Sequence, residues 1–274
     1  MVLGSGAGLS LILALGSFIG FEATVIYAEE ARDAWISVPR ATYISVALIA
    51  GFYLITTWAM VSAVGADHVK EIAAVDPASF FFVINTHYLG AAATQVMQVL
   101  VITSLFAGFL ALHMSTARYH FSLARSGILP SWLGETHPKH HSPFNGTLAQ
   151  LGVLVLVILG FVIADQHPYL QMGVALYGMG VLGIVLLQSL TSFAVVRYFR
   201  QHQSTESVWS TVVAPTLGGV SMFVAFLLMI DNYSVMTGSD QWWINHLPLV
   251  FFLVPILGTF IFYTEPTSRV SNIP

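Results

Sequence analysis

The chain has no cysteine among its 274 residues, which excludes disulfide scaffolds and thiol chemistry. Charge is scarce too. Only 8% of residues are Asp, Glu, Lys or Arg, against about 25% in an ordinary soluble domain. The net charge of −4 is small and spread out, so no basic surface offers itself and nucleic acid is excluded as a partner. No basic residue precedes Arg32, so the positively charged start of a signal peptide is missing. Hydrocarbon fills the space instead: 56% of residues are hydrophobic and the mean hydropathy is +0.79. These values place the chain in the membrane class, with the lipid bilayer as its first partner.

Seven apolar runs meet the length of about 20 residues that a spanning helix needs. They are Leu9–Ala28, Ala41–Val64, Gly90–Met114, Thr147–Ala164, Leu170–Tyr198, Thr211–Ile230 and Leu247–Tyr263. No composition shift divides them, so residues 1–274 are read as a single transmembrane domain. Basic residues orient it. Arg32, Arg40, Arg118, Arg125, Lys139, Arg197, Arg200 and Arg269 all fall on one side, and only Lys70 on the other. The expectation is a multi-pass protein of the cell membrane with a cytosolic C-terminus and an outside N-terminus. Asp67, Glu71, Asp76, Asp165, Asp231 and Asp240 then mark the outside.

The connections differ in character. Glu29 to Arg40 is charged, and Pro39 reads as a stop before the second span. Val69 to Tyr88 is too long for a plain loop. It carries Asp76-Pro77 and Phe80-Phe81-Phe82, which read either as a lid over the outer mouth or as an interfacial aromatic belt. Ala117 to Pro143 is the longest inner connection. Trp242 and Trp243 read as interface anchors.

The first run is the anomaly. Ser17-Phe18-Ile19-Gly20-Phe21-Glu22-Ala23 puts a glycine and a carboxylate inside hydrocarbon. A charge at that depth costs about 2.5–3.5 kcal/mol even on the mildest scale. Gly20 lets the backbone bend or unwind where it lines protein or water. The reading is a broken transporter helix, with Glu22 raised in pKa by desolvation and acting on a proton or a cationic substrate group. The structural alternative is a hydrogen bond to a neighbouring helix. Glu29 and Glu30, about two turns on, are either a solvated helix end or an inner gate pairing with Arg118 or Arg125.

Other polar groups carry weaker signals. Gln95 and Gln98 share a helical face and read as interhelical hydrogen bonds. Thr103-Ser104 could help bind sodium, on two residues only. Gly173, Gly178, Gly180, Gly183 and Ala175 read as close helix packing, with Tyr177 among them able to reach a cavity. Gly4-Ser5-Gly6 resembles a carboxylate-cradling break, but only three residues precede it. Glu135, His137, His140 and His141 look like a metal cluster. The spacing His137-Pro-Lys-His140-His141 matches one histidine box of a membrane di-iron oxygenase. Such an enzyme needs several boxes, and His113 and His120, seven apart, make no second one. Surface histidines and no metal or cofactor are the expectation, and a metal enzyme is the rival from another class.

At this point the motifs resemble a family. Phe18-x-Gly20-Phe21-Glu22, then Glu29-Glu30, then Pro39-Arg40 looks like the sixth span and following loop of the amino acid–polyamine–organocation (APC) transporters. Ser115-Thr116-Ala117-Arg118, continuing through Ala124-Arg125-Ser126-Gly127-Ile128-Leu129-Pro130 to His137–Pro143, resembles the loop after that family's eighth span. The resemblance implies an all-α membrane protein with a partial LeuT-like fold of about seven transmembrane helices, matching the sixth to twelfth spans. It implies a permease rather than an enzyme, with amino acids or related amines as substrate. A substrate ammonium would sit on freed carbonyls near Ile19, Gly20 and Glu22. Phe18 or Phe21 would gate, and coupling would run through protons or exchange rather than sodium. The missing first five spans would belong to the same longer chain or to another one; a non-transporting remnant or accessory subunit is the further alternative.

Overall fold

A computed structural model describes residues 7–26, 28, 31–202 and 206–253. Among these the secondary structure is helical throughout, with no strand. Five helices are long and apolar enough to cross a membrane: Ala34–Val64, Phe80–Arg125, Phe144–Ile163, Gln171–Gln201 and Trp209–Asp231. They contain the second, third and sixth expected runs and match the fourth and fifth to within one residue at one end. The first run is not one helix. It divides into α1 (Ala7–Gly16) and α2 (Ala23–Ile26), with Ser17–Glu22 non-helical between them. The last run lies mostly outside the described residues, as do Glu29, Glu30 and Gly4-Ser5-Gly6.

Two expected connections prove to be helical. Helix α3 (Ala34–Val64) starts well before Pro39, which lies inside it rather than stopping it. Its first turn is carried by the Asp33 carbonyl, which accepts the amides of Ile36 (2.9 Å) and Ser37 (3.0 Å), and the Ser37 hydroxyl donates back to the carbonyls of Arg32 (2.9 Å) and Asp33 (3.1 Å). As the sixth residue of the helix, Pro39 lies past its first turn and leaves the Trp35 carbonyl without the amide it would otherwise accept. The Val69–Tyr88 connection forms α4 (Val69–Val75) and the first turns of α5 (Phe80–Arg125). Of its aromatics, Phe80 and Phe82 are half-buried and Phe81 is exposed.

Contacts divide the chain into two compact units, Met1–Ile19 with Gly152–Pro274, and Gly20–Leu151. The first unit is built on α7 (Val174–Gln201) and α8 (Ala214–Asp231), each preceded by a π-helical turn, Pro168–Gly173 and Trp209–Val213. Small residues bring these helices close. A side chain at Gly219 would lie 3.0 Å from the Phe193 ring, and Ser189, fully buried, donates its hydroxyl to the Gly219 carbonyl at 2.8 Å. The core of this unit gathers Ile12, Val181, Leu182, Phe226 and Met229 around Tyr233, of α9 (Tyr233–Thr237). The Tyr233 hydroxyl donates to the Ala175 carbonyl at 2.8 Å. Helix α1 joins through Gly16, where a Cβ would strike the Tyr177 ring and lie 2.8 Å from Val181 Cγ2. Tyr177 therefore packs on α1. Trp243, in α10 (Trp242–Asn245), packs on Phe161 at 5.1 Å, while Trp242 stays exposed.

The second unit holds α2 to α5 and the first two turns of α6 (Phe144–Ile163). Tyr88 of α5 donates to the Ala63 carbonyl of α3 at 2.8 Å. Thr24 and Thr42 bond at 2.7 Å between α2 and α3. Helix α5 is itself kinked at Gly90 (φ 83°, ψ 171°), a backbone region open essentially to glycine alone.

Candidate functional site

The first run breaks because its hydrogen-bond ladder changes register twice. Helix α1 tightens as it ends: Phe18 N–H donates to Leu15 O (3.1 Å) and Ile19 N–H to Gly16 O (3.2 Å). Gly20 then takes φ 117°, which only glycine adopts without strain. A Cβ there would meet nothing within 4 Å. Glycine is therefore required by the backbone angle and not by lack of space. The chain resumes in short turns, with Ala23 N–H donating to Gly20 O, Thr24 N–H to Phe21 O and Val25 N–H to Glu22 O, at 3.0–3.4 Å.

Glu22 ties off this break. Its Oε2 accepts the Gly20 N–H at 2.9 Å, a charge-assisted bond of the stronger kind. The carboxylate thus satisfies an amide that the helix cannot. Its other oxygen has no hydrogen bond among the described residues, nor have the carbonyls of Ser17 and Ile19. Phe18, Phe21 and Glu22 are half-buried. Of the five expected site residues, the structure bonds Gly20 to Glu22. It places Phe18, Ile19 and Phe21 along the same non-helical stretch.

The remaining candidates are placed as follows. Arg118 and Arg125 lie two turns apart on α5, and the Arg125 guanidinium sits 5.5 Å over the Phe121 ring. Thr103 donates to carbonyls of its own helix, Val99 (3.1 Å) and Leu100 (3.0 Å). Gln95 and Gln98 are exposed and make no hydrogen bond among the described residues, so the expected interhelical bonds are not formed. His137 serves the turn that holds it: its Nδ1 accepts the amides of Lys139 and His140, each at 3.2 Å. Among the described residues no three His, Asp or Glu gather as a metal would require.

One polar cluster had no signal in the sequence reading. Below the α5 kink, Thr94 is buried, with its hydroxyl 3.1 Å from Asn85 Nδ2, 2.8 Å from Thr86 Oγ1 and 3.1 Å from Gly90 O. Its partners lie up to nine residues away, across what reads as a loop. Only the helical geometry brings them together.

With this geometry in place, sequence comparison decides the family. The family profile described as amino acid permease matches residues 3–260. The chain belongs to the amino acid permease family. The permease chain is 29% identical over 186 residues to the human Asc-type amino acid transporter 1, covering 66% of this chain and 34% of that protein. It is 28% identical over 149 residues to the low-affinity putrescine importer PlaP of Escherichia coli, covering 53% and 31%. An uncharacterized transporter of Mycobacterium tuberculosis is 24% identical over 161 residues, covering 59% and 36%. The permease chain thus spans about a third of the length of these relatives. No solved structure gives a significant match.

Proposed function

We propose that this chain carries part of the substrate site of a secondary transporter of amino acids or related amines, at the break Phe18–Glu22. The observation that supports this most directly is the Gly20–Glu22 bond inside an apolar run. A carboxylate in such a run is costly unless it is paired or protonated. Here one oxygen is held by a backbone amide, which fixes the group in place. The second oxygen is an acceptor suited to an ammonium, the group common to amino acids and amines. The names of the relatives agree, since one transports amino acids and another imports putrescine.

In this reading Glu22 is also the residue through which transport is coupled to protons. Phe18 and Phe21 close the site on either side. Glu29 or Glu30 pairing with Arg118 or Arg125 would shut the inner end. The basic connections face the cytosol, and so does the C-terminus.

The test is ligand-dependent thermal unfolding of the chain in detergent, against a panel of L-amino acids and putrescine. A ligand at 100 times its Kd adds about 2.7 kcal/mol, well within reach of a melting curve. One class of amine should raise Tm. Glu22→Gln should move that response to at least about tenfold higher ligand. If no member of the panel raises Tm, the binding reading is wrong. If Glu22→Gln responds as the parent does, the carboxylate has another role.

A further inference from the structure

The motif that the transport reading leaves unused is the histidine-rich turn between α5 and α6. His137 holds this turn with both its main chain and its side chain. Its amide donates to the Ser142 carbonyl and its carbonyl accepts the His141 amide, both at 2.8 Å. Its Nδ1 accepts the amides of Lys139 and His140, each at 3.2 Å. The ring also packs edge-on against Phe144, the first residue of α6, at 5.4 Å. The turn is strained as well as tied. His141 takes φ 51°, a left-handed angle that a residue with a side chain keeps only where its surroundings hold it.

What sets His137 apart is the direction of its side-chain bonds. His120, His202 and His246 bring Nδ1 to a carbonyl, that of Gly146 (3.3 Å), Tyr198 (3.0 Å) and Trp242 (2.7 Å). A carbonyl only accepts, so those rings donate, and a protonated ring donates there just as well. His137 instead faces amide N–H groups, which only donate. Its Nδ1 is therefore bare, with the ring proton on Nε2. A proton added at Nδ1 would set donor against donor at both amides. Histidine is the side chain that takes up a proton between about pH 5 and 8. The surrounding charges work in the same direction. Lys139 and His141 lie in the turn, and the His140 ring is 4.9 Å from that of His137, so acid also adds like charges there. Glu135, ahead of the turn, has its carboxylate 3.4 Å from Asn145 Nδ2. Helix α5 brings His120, on the Gly146 carbonyl, and Arg125, over the Phe121 ring. Helix α6 adds nothing, since Phe144–Ile163 contains no ionisable side chain.

We propose that His137 is a pH-sensitive clasp on the α5–α6 connection. Neutral, it closes the turn 137–142 and seats it on Phe144. Protonated, it releases the amides of Lys139 and His140, and the left-handed angle at His141 loses its support. The clasp is thus complete where the ring is neutral and is lost as the pH falls through the ring's titration. In the orientation given above the turn faces the cytosol, so the clasp answers to cytosolic acid. It does not rest on the substrate reading, and it is tested without any substrate.

The scarcity of lysine provides the probe. Lys70 and Lys139 are the only lysines in the chain, so a lysine-specific endoprotease cutting after Lys139 reports the opening of this turn, and a cut after Lys70 gives a fragment of another size. The full chain in detergent is digested briefly at about pH 7.5 and about pH 5.5, on either side of the usual histidine range. The parent is compared with His137→Asn and His137→Ala at each pH, so that the pH dependence of the protease cancels. Asparagine places Oδ1 where Nδ1 stands and accepts the same amides without titrating. At the higher pH the parent and His137→Asn should be cut at Lys139 about tenfold more slowly than His137→Ala, the ratio expected for two hydrogen bonds of ordinary worth. At the lower pH the parent should be cut as fast as His137→Ala, while His137→Asn stays slow. A parent that tracks His137→Asn at both pH values overturns the clasp. So does a His137→Asn variant that opens in acid as the parent does. The comparison of parent with His137→Asn decides the matter even where His137→Ala loses the fold.

Discussion

The molecule breaks helical backbone at two glycines, and it treats the two breaks differently. Gly20 and Gly90 both take positive φ, 117° and 83°, and neither is crowded, since a Cβ at either would meet nothing within 4 Å. At Gly90 the polar groups are closed among themselves. Thr86 and Thr94 share two hydroxyl protons between the carbonyls of Phe82 and Gly90 and each other, with Asn85 as a further donor. At Gly20 the amide donates to Glu22 and the carbonyl accepts the Ala23 N–H, while among the described residues the Ser17 and Ile19 carbonyls and one carboxylate oxygen take no hydrogen bond. The same backbone device therefore gives a bend closed by its own side chains in one place and, in the other, a carboxylate with one oxygen unpaired among the described residues. Acceptors left over inside a membrane protein are what a cationic ligand needs.

The largest expected effect would break this comparison directly. Gly20→Val and Gly90→Val each force a branched side chain into a backbone region worth about 1–3 kcal/mol of strain. If the breaks differ as described, Gly20→Val should lose at least about tenfold in amine affinity, equivalent to about 1.4 kcal/mol, with a modest fall in Tm. Gly90→Val should lower Tm more and leave the affinity of the folded fraction within about twofold. Melting curves with and without ligand measure both. Equal losses of affinity at the two glycines would mean that the Gly20 break is structural, like the other.

How far this contrast was legible in the sequence follows from what each break displays. Gly20 and Glu22 stand out because they violate the hydrophobicity of a spanning run, and the amide-to-carboxylate bond is local, two residues apart. Gly90 stands at the edge of its run and looks like a boundary. Its staple joins Asn85 to Thr94, and neither end is unusual for a loop or a helix. The same limit explains α3. Pro39 is a strong stop signal by type, but the helix has already begun ahead of it, with the amides of Ile36 and Ser37 on the Asp33 carbonyl. Gln95 and Gln98 were read as partners for another helix because they share a face. Beside them it is Thr94 that bonds, within α5 itself, a residue that a count of long polar side chains passes over.

A smaller effect sharpens the comparison. Thr94→Val keeps the shape and removes the hydroxyl, leaving Asn85 without its acceptor inside the kink. The expected loss is about 1 kcal/mol, the usual worth of a hydrogen bond between side chains in such settings. Tm in detergent should fall by a few degrees while amine affinity stays unchanged. A ligand response that weakened along with Tm would show that the Gly90 kink and the Gly20 break act on the same equilibrium.

The smallest expected effect sits just outside the kinked helix, where α5 begins. Asp76 is exposed, yet both its oxygens are used: Oδ1 accepts the amides of Ala78 (3.1 Å) and Ser79 (3.2 Å), and Oδ2 accepts the Ser79 hydroxyl (2.7 Å). The Ser79 hydroxyl first, and then the two amides, hold this carboxyl below its ordinary pKa of 3.8. A carboxylate whose pKa is lower in the folded chain binds protons less readily there than when unfolded. Its contribution is therefore complete above the ordinary value and fades as the pH drops through the lowered one. Because the group is in water, the effect should be local, a loosening of the first turn of α5 rather than a loss of fold. Amide exchange at Phe80–Val83 should quicken in Asp76→Ala at neutral pH, and in the parent only under acid. If exchange there were the same in both at neutral pH, the turn would be held by the Gly90 staple alone, and the kinked helix would owe nothing to its cap.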